Sequence, residues 1–503
     1  MAPQTNAPGS SIRLPATLAI GFTGHRKLPD EAKCRKLLYD FLSQRKAAAP
    51  GMIYGVASVA AGADLLFGES CIDLGIPLLV LLPMPAEHFR EDFDAATWAR
   101  AEQVMSQAVS VEVTGGNQPR DELYYECGIE TVQQSRLLLA LWNGEPSHGM
   151  GGTADVVSFA KDLGRPVVWF HSVTEQISNF NEKPEQELLH DPELDFLNAQ
   201  PDPIHPTDAG ETDTPQGLVW AWFHKMDQCA NQTAPQLRRL AAIPILCTAT
   251  AALFTGAASW AHNVAMLLSI GSALGITAAA LPYALLLHAR QDVWARTRTA
   301  AEVCRSILAL WYAPTSYQVI GPEVIPEFSG MLTSLNLLKM RDRAKRKMSL
   351  DEFKLHYRQE RVSDQIAYYS KHAARSAAEA RKFNTAIWSS VALAILANIW
   401  LLVGPPVFRV SKSAPWEHGL ALLASIAFEI ATVAGALIVV NDCNRRKQRY
   451  SEMQYLLTEW DAQFERLRTW FSVLHVANRI ERALLIEVIE WRSVIRHRKL
   501  PSK

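Results

Sequence analysis

The sequence has few cysteines and no pattern that joins them. Its 7 cysteines are odd in number and scattered along 503 residues. None forms a C-x-x-C pair, and no histidine cluster accompanies them. This excludes the spacing of a structural zinc site and the framework of a disulfide-rich secreted domain. No secretory signal peptide is visible, because the apolar run Leu18–Phe22 is short and lacks a basic n-region. We therefore expect a protein that faces a reducing cytoplasm.

The sequence also has almost no net charge. Its 50 Lys and Arg residues nearly balance its 51 Asp and Glu residues. The chain shows no basic face of the kind that binds DNA, so we expect no nucleic-acid partner. The charges are unevenly placed: the first half is polar, and the second half contains long apolar runs.

Residues 15–172 alternate short apolar runs with helical stretches, which predicts an α/β domain. Continuous apolar strands separated by helices favour a mainly parallel sheet with helices on both faces. The predicted strands are Thr17–Gly21, Met52–Val56, Leu78–Leu82, Val109–Val113, Arg136–Leu141 and Val167–Phe170. The predicted helices lie near 31–47, 62–74, 95–108, 121–134 and 153–163. Residues 1–14 are expected to be a disordered leader, and 173–235 an acidic, proline-rich linker.

Four apolar stretches in the second half are long enough to cross a bilayer, which takes about 20 residues of helix. They are Leu240–Trp260, Val264–Leu287, Thr385–Val403 and Gly419–Val440. The alternative is a large buried helical core in a soluble protein. The stretches predict a first transmembrane hairpin with a cytosolic helix (236–312), a connector (313–351), and a second hairpin with long flanking helices (352–498). Basic residues flank both hairpins and are scarce between their arms, so both termini should be cytoplasmic.

Three glycine-bearing turns follow predicted strands: GFTGHR from Gly21, GVASVAAGAD from Gly55 and NGEPSHGMGGT from Asn143. In parallel sheets, ligands bind outside the carboxyl ends of the strands. Glycine lets a phosphate approach the backbone, and the following helix presents free N–H groups. Arg26 adds a cation for a charge-assisted contact. The turns predict a phosphorylated ligand, and the alternative is that these glycines only form tight turns.

These turns, with the blocks GVASVAAGADLLFGESCIDLGIPLLVLLP and WNGEPSHGMGGTADVVSFAKDLGRPVVWF, resemble the SLOG superfamily over about residues 15–171. The resemblance implies a modified Rossmann fold and a nucleotide or nucleotide-derived ligand. It implies that the following residues line the pocket: Gly21, Thr23, Gly24, Gly62, Ala63, Asp64, Gly151, Gly152 and Thr153. The hydrolytic branch of that group carries a catalytic Glu where this chain has Val156. We therefore expect binding without turnover, with no catalytic residue, metal or cofactor assigned.

Residues 352–465 resemble the SLATT type of two-helix membrane domain. The likeness rests on Tyr357-Arg-Gln-Glu-Arg361, Asp364-Gln365 and Tyr368-Tyr369, which lead into the third apolar segment. Residues 236–312 fit a second, more divergent copy. The resemblance implies a bacterial antiviral or conflict system acting at the inner membrane. Packing of the same Tyr and Arg residues within a helical bundle explains the pattern equally well.

Glu429 stands near the middle of the fourth apolar segment, where a carboxylate is costly unless it meets water, a proton or a partner. It is expected to line a pore or a contact between subunits, or else to fix helix packing through a hydrogen bond. Asn398 is expected to bond across helices.

The sequence thus predicts a nucleotide-sensing, homo-oligomeric membrane effector whose ligand gates a pore or perturbs the bilayer. Two alternatives stay open. One is a membrane-anchored enzyme that processes nucleotides, and the other is a scaffold whose SLOG-like domain has lost its ligand.

Overall fold

The computed structural model describes most of the chain in two compact units. The first consists of Met1–Lys225 and Val303–Ser349, and the second of Met226–Glu302 and Leu350–Lys503. The described residues are 12–48, 52–116, 118–147, 150–183, 187–188, 190–203, 213–258, 265–282, 288–313, 325–343, 348–408 and 415–497.

The first unit is built on a seven-stranded sheet. Its strands are β1 (Thr17–Gly24), β2 (Met52–Ala57), β3 (Leu78–Leu82), β4 (Ser110–Val113), β5 (Leu137–Trp142), β6 (Val167–His171) and β7 (Ile177–Phe180). The spatial order is β4-β3-β2-β1-β5-β6-β7, and only β7 among them runs antiparallel to its neighbour. All six predicted strands are present. The seventh lacks an apolar run, because its side chains are mostly exposed at the edge of the sheet.

Helices connect the strands, and all five predicted ones are present. They are α1 (Glu31–Ala48), α2 (Ala63–Asp73), α3 (Ala86–Phe89), α4 (Ala95–Gln107), α5 (Arg120–Gln133) and α6 (Thr153–Asp162). A 3₁₀ turn, Arg90–Asp92, follows the short α3. Helix α7 (Pro192–Asn198) comes after the sheet.

Strands β3 and β5 are buried along their whole length, since helices cover both faces of the sheet. Successive strand residues point to opposite faces. One face packs Leu18, Ile20 and their counterparts against α1, α2 and α4. The other face packs Leu138 and Ala140 against α6, and Ala19 against a helix from much later in the chain.

That later helix is α11 (Ser329–Arg343), within the region expected to be a connector. Its Leu337 and Met340 belong to the buried cluster on the sheet. Ser334 Oγ lies 2.9 Å from Thr17 Oγ1, the first residue of β1. The stretch expected to be a linker supplies β7 and α7 to the same unit, and Leu197 of α7 is fully buried. Both stretches therefore contribute ordered structure to the α/β core.

The second unit is helical. It contains helix α8 (Pro215–Ala258) from Met226 onward, helix α9 (Ala265–Pro282), and helix α10 (His288–Ala309) as far as Glu302. A long helix follows, made of α12 (Leu350–Tyr357), a π-helical segment (Arg358–Ser363) and α13 (Asp364–Phe408). Helices α14 (Pro415–Val440), α15 (Cys443–Phe464) and α16 (Trp470–His497) complete the chain.

Three helical stretches of the described residues are long and apolar enough to cross a membrane: Pro215–Thr255, Leu350–Val403 and Gly419–Phe464. They contain the third and fourth predicted segments and the first one as far as Thr255. The second corresponds to α9, whose apolar part, Met266–Ala278, is shorter. Residues 259–264 and 283–287, at the ends of that segment, lie outside the described residues. That the second segment also crosses the membrane, which would make four spans, stays a prediction.

Candidate functional site

A cavity of about 580 Å³ opens at the carboxyl ends of β1 and β5. The chain runs from β1 through β2, β3 and β4 in one direction, and β5 then pairs with the other side of β1. The connections after β1 and β5 therefore diverge and leave a crevice, which is where open parallel sheets bind ligands. Its volume lies within the range of pockets for small organic ligands.

Eight of the eleven predicted ligand-binding residues line this cavity. They are Thr23, Gly24, Arg26, Asp64, Asn143, Gly151, Gly152 and Thr153. They come from the three glycine-bearing turns, so the fold does bring these turns together.

The other three predicted residues do not line the cavity but support the turns that do: Gly21, Gly62 and Ala63. A Cβ on Gly21 would lie 2.6 Å from Ser135 Oγ, so glycine allows α5 to approach β1. Gly62 has φ +88°, and a Cβ there would lie 2.3 Å from the carbonyl oxygen of Arg26. The Ala63 N–H donates to the His25 carbonyl at 3.0 Å. These residues hold the turns after β1 and β2 against each other.

The third turn leads into the N-terminus of α6. Gly151 has φ +86°, and its N–H donates to Asp155 Oδ2 at 3.2 Å. Gly152 is the N-cap residue and provides no side chain to cap the helix. Among the described residues, the N–H groups of Thr153 and Ala154 have no hydrogen-bond partner and are left for a ligand, whereas the Asp155 N–H donates to Ser147 Oγ at 3.3 Å. The helix dipole favours an anion there. Asp155 fixes the turn, and Val156 is buried, so no carboxylate occupies the hydrolytic position.

Helix α5 also lines the cavity, which we did not predict from the sequence. That helix was predicted but not assigned to the site. Its lining residues recur every three or four positions, a helical face that could have been recognised from the sequence: Arg120, Asp121, Tyr124, Cys127, Gly128 and Thr131. Arg120 at the start of this face is paired with Asp92 at 2.7 Å and Glu91 at 3.2 Å.

Arg26 and Tyr124 form the cationic side of the cavity. The Arg26 guanidinium lies 4.6 Å from the centre of the Tyr124 ring, a cation–π contact. The Tyr124 hydroxyl is buried and has no hydrogen-bond partner within the part of the chain that the structure describes. A buried hydroxyl without a partner is costly, and a ligand that bonds to it removes that cost.

Four acidic residues line the cavity, Asp64, Asp92, Asp121 and Glu145, and Asp64 is the one whose pKa burial raises. It lies in the first turn of α2 and is only 9 % exposed. Burial raises its pKa to about 8, although the nearby charge of Arg26 acts in the opposite direction. Burial likewise raises the pKa of the Cys127 thiol to about 12, which leaves it protonated and unreactive. Near neutral pH the cavity therefore holds a carboxyl group that can donate or accept a proton.

Among the described residues, no group of three His, Cys, Asp or Glu side chains is placed to hold a metal ion.

No protein-family model and no curated protein matches this chain.

The two intramembrane candidates lie in the helical unit. Glu429 is half-buried on α14. Asn398 on α13 is exposed, and its amide donates to the Ala394 carbonyl of the same helix at 2.8 Å. This differs from the predicted bond across helices, because the preceding turn offers a nearer acceptor. Buried alanines, including Ala397 and Ala427, lie on these two closely packed helices.

Proposed function

We propose that this protein is a nucleotide-sensing membrane effector. A phosphorylated nucleotide or nucleotide derivative binds the cavity between β1 and β5 and changes the state of the helical unit. The observation that carries this proposal is the cavity itself. Its walls contain the first two N–H groups of α6, the Arg26 guanidinium and the Tyr124 hydroxyl, which has no partner among the described residues. This set suits an anion attached to an aromatic, hydrogen-bonding group.

The SLOG and SLATT assignments belong to this proposal. The sheet order, the three turns at one edge and the helix N-terminus after β5 support the first. The long helices with exposed apolar stretches support the second. On this basis we place the protein in the bacterial inner membrane, in an antiviral or conflict system, with cytoplasmic termini and a homo-oligomeric assembly around the spans.

The chain joins the two units at three points, after Lys225, Glu302 and Ser349, and these connections can carry the signal. A ligand shifts the helical unit only if it binds one conformation more tightly than the other. Position 156 carries valine and not a catalytic carboxylate, which favours a ligand that changes conformation over one that is hydrolysed.

The first experiment is a dye-release assay on the full chain in liposomes, with calorimetry to measure binding. The panel contains nucleoside mono-, di- and triphosphates, cyclic dinucleotides and ADP-ribose. We expect one class to bind and to release the dye. Gly152→Trp should abolish both, because its side chain would start 2.5 Å from Ser147 Oγ and fill the mouth of the cavity. Gly116→Trp, on an exposed loop, is the matched control.

Binding without release would separate the two halves of the proposal. It would keep the cavity as a nucleotide site and reject the pore. Failure of every nucleotide to bind the folded, inserted protein would reject both halves.

The role of Glu429 is tested in the same liposomes. If its carboxylate lines the pore, Glu429→Gln should change the cation selectivity of the ligand-triggered current. Ser425→Ala, one turn earlier and exposed on the same helix, is the control. An unchanged selectivity would remove Glu429 from the pore.

One observation favours a second function, a membrane-anchored nucleotide-processing enzyme. Asp64 places a carboxyl group with a pKa of about 8 inside the cavity, the range that suits a general acid or base. Chromatography of nucleotides incubated with the protein tests it. Consumption that Asp64→Asn abolishes, without dye release, would favour the enzyme.

A further inference from the structure

The long helix that enters the third apolar segment changes its winding in one place. Residues Arg358–Ser363 form a π-helical segment between α12 and α13, within the stretch Leu350–Val403. Such segments, with hydrogen bonds from residue i to i+5, are rare and concentrate at functional positions. This one lies in the helical unit, outside the cavity described above.

The sequence explains why the helix widens here. Lys354 and Val362 are buried beside a row of six buried residues that recur at every fourth position: Phe353, Tyr357, Arg361, Gln365, Tyr369 and Ala373. In an α-helix four residues turn about 400°, so this row would drift by about 40° per step and about 200° over five steps. A wider turn holds more residues and cancels part of the drift. The segment therefore keeps one row of side chains inside the bundle.

Two arginines, three residues apart, tie the segment to neighbouring helices. Arg361 binds Glu481 of α16 through two bonds, Nε to Oε1 at 2.9 Å and Nη2 to Oε2 at 2.7 Å. Tyr357 Oη donates to the same Oε1 at 2.8 Å. Arg358 binds Asp461 of α15 at 2.7 and 3.0 Å.

The Arg361–Glu481 pair is completely buried, with side chains 4 % and 0 % exposed. Removing one member of such a pair leaves an uncompensated charge. Arg361 Nη1 is also buried and has no hydrogen-bond partner among the described residues, so the wide form is already incompletely satisfied. The buried contact that holds the wide form is thus the Glu481 carboxylate, which accepts bonds from both Arg361 and Tyr357, while Asp461 holds Arg358 nearer the surface.

We propose that Arg358–Ser363 is a register switch, held in its wide form by Glu481, and that its closure into α-helix turns α13 about its axis. Closure adds about one residue of winding, or about 100°. Since α13 includes the third apolar segment, a different face of that segment would then meet α14. This inference does not depend on the ligand or on the cavity.

Thiol labelling of the full chain in detergent tests the rotation. Cys229 and Cys247, the half-buried native cysteines, are first replaced by serine. Ala373 is buried, whereas Ala374 is exposed. Closure carries residue 373 to the position of 374, so Glu481→Gln should raise the maleimide reactivity of Ala373→Cys by roughly tenfold or more, toward that of Ala374→Cys. Glu360→Gln, which removes an exposed carboxylate from the same segment, should leave it protected.

Deletion of Gln359 distinguishes a switch from general loosening. Gln359 is exposed in the wide segment, and removing one residue there gives a regular helix with α13 in its original register. In the Glu481→Gln background the deletion should restore protection of Ala373→Cys. If it does not, or if Glu481→Gln alone leaves the thiol protected, the switch is wrong. Should Glu481→Gln fail to fold, Tyr357→Phe decides: a partial rise in reactivity supports the switch, and no rise refutes it.

Discussion

Asp64 makes the stability of the α/β unit depend on pH. Its pKa is about 8 in the folded protein, against an ordinary value of 3.8. Below about pH 4 the group is protonated in both states, and above about pH 8 it is ionised in both. Between these limits the folded state holds more protons, so stability falls as the pH rises. Replacing Asp64 with Asn removes this loss.

The magnitude follows from the size of the shift. One pKa unit corresponds to about 1.36 kcal/mol, so the shift sets a ceiling of about 6 kcal/mol on the loss at alkaline pH. Water in an open cavity reduces the penalty, and we expect about 2 kcal/mol. For a unit of this size that is a difference in Tm of roughly 4–8 °C.

Thermal unfolding of the full chain in detergent, followed by tryptophan fluorescence from pH 5 to pH 9, measures the effect. Asp64→Asn should gain stability over the wild type as the pH rises, and the gain should level off above pH 8. Asp73→Asn, at the exposed end of the same helix, is the control. A gain that is the same at pH 5 and pH 9 would mean that water solvates Asp64 in the folded protein.

Three further experiments test the packing of buried residues. Gly62→Ala should lower the free energy of unfolding by about 3 kcal/mol or more, because its Cβ would collide with the Arg26 backbone. Gly164→Ala, where a Cβ meets open space, should lower it by only roughly 1 kcal/mol, the cost of the positive φ. Chemical denaturation compares the two variants. Trp311→Phe should cost about 2 kcal/mol by removing the 2.8 Å bond to the buried Asp342 carboxylate, and thermal unfolding of the variant measures the loss. Ellman titration of the native protein should find at most two reactive thiols rather than seven, because Cys247 lies in an apolar segment and five other cysteines are buried: Cys34, Cys71, Cys127, Cys304 and Cys443. Denaturant should expose all seven.

The sequence could predict the sheet because β1, β3 and β5 are short apolar runs separated by helices. It could predict the three turns because glycine followed by a helix start is a local pattern. It could not predict β7, which has no apolar run, or α11, whose place on the sheet depends on contacts more than 300 residues apart in the chain. Secondary structure follows mainly from local pattern, whereas partners across the fold follow from packing.

The same distinction applies to the cavity. Eight expected residues line it because the carboxyl ends of parallel strands share one edge. The face of α5 was missed because its charged and aromatic residues look like an ordinary solvated surface. The raised pKa of Asp64 could not be inferred from the sequence, since it arises from burial among residues of different turns.

The position of α11 has a consequence for how the protein is made. The patch of the sheet around Ala19 and Val56 is not covered until Leu337 and Met340 reach it, and the ribosome produces them after the apolar helices α8 and α9. At about 5–20 residues per second, the interval between β6 and α11 is on the order of ten seconds. During that time the part of the sheet that α11 covers stays exposed while apolar segments emerge. A nascent chain stalled before Ser329 should therefore bind chaperones and resist refolding, and an excised N-terminal fragment should aggregate for the same reason.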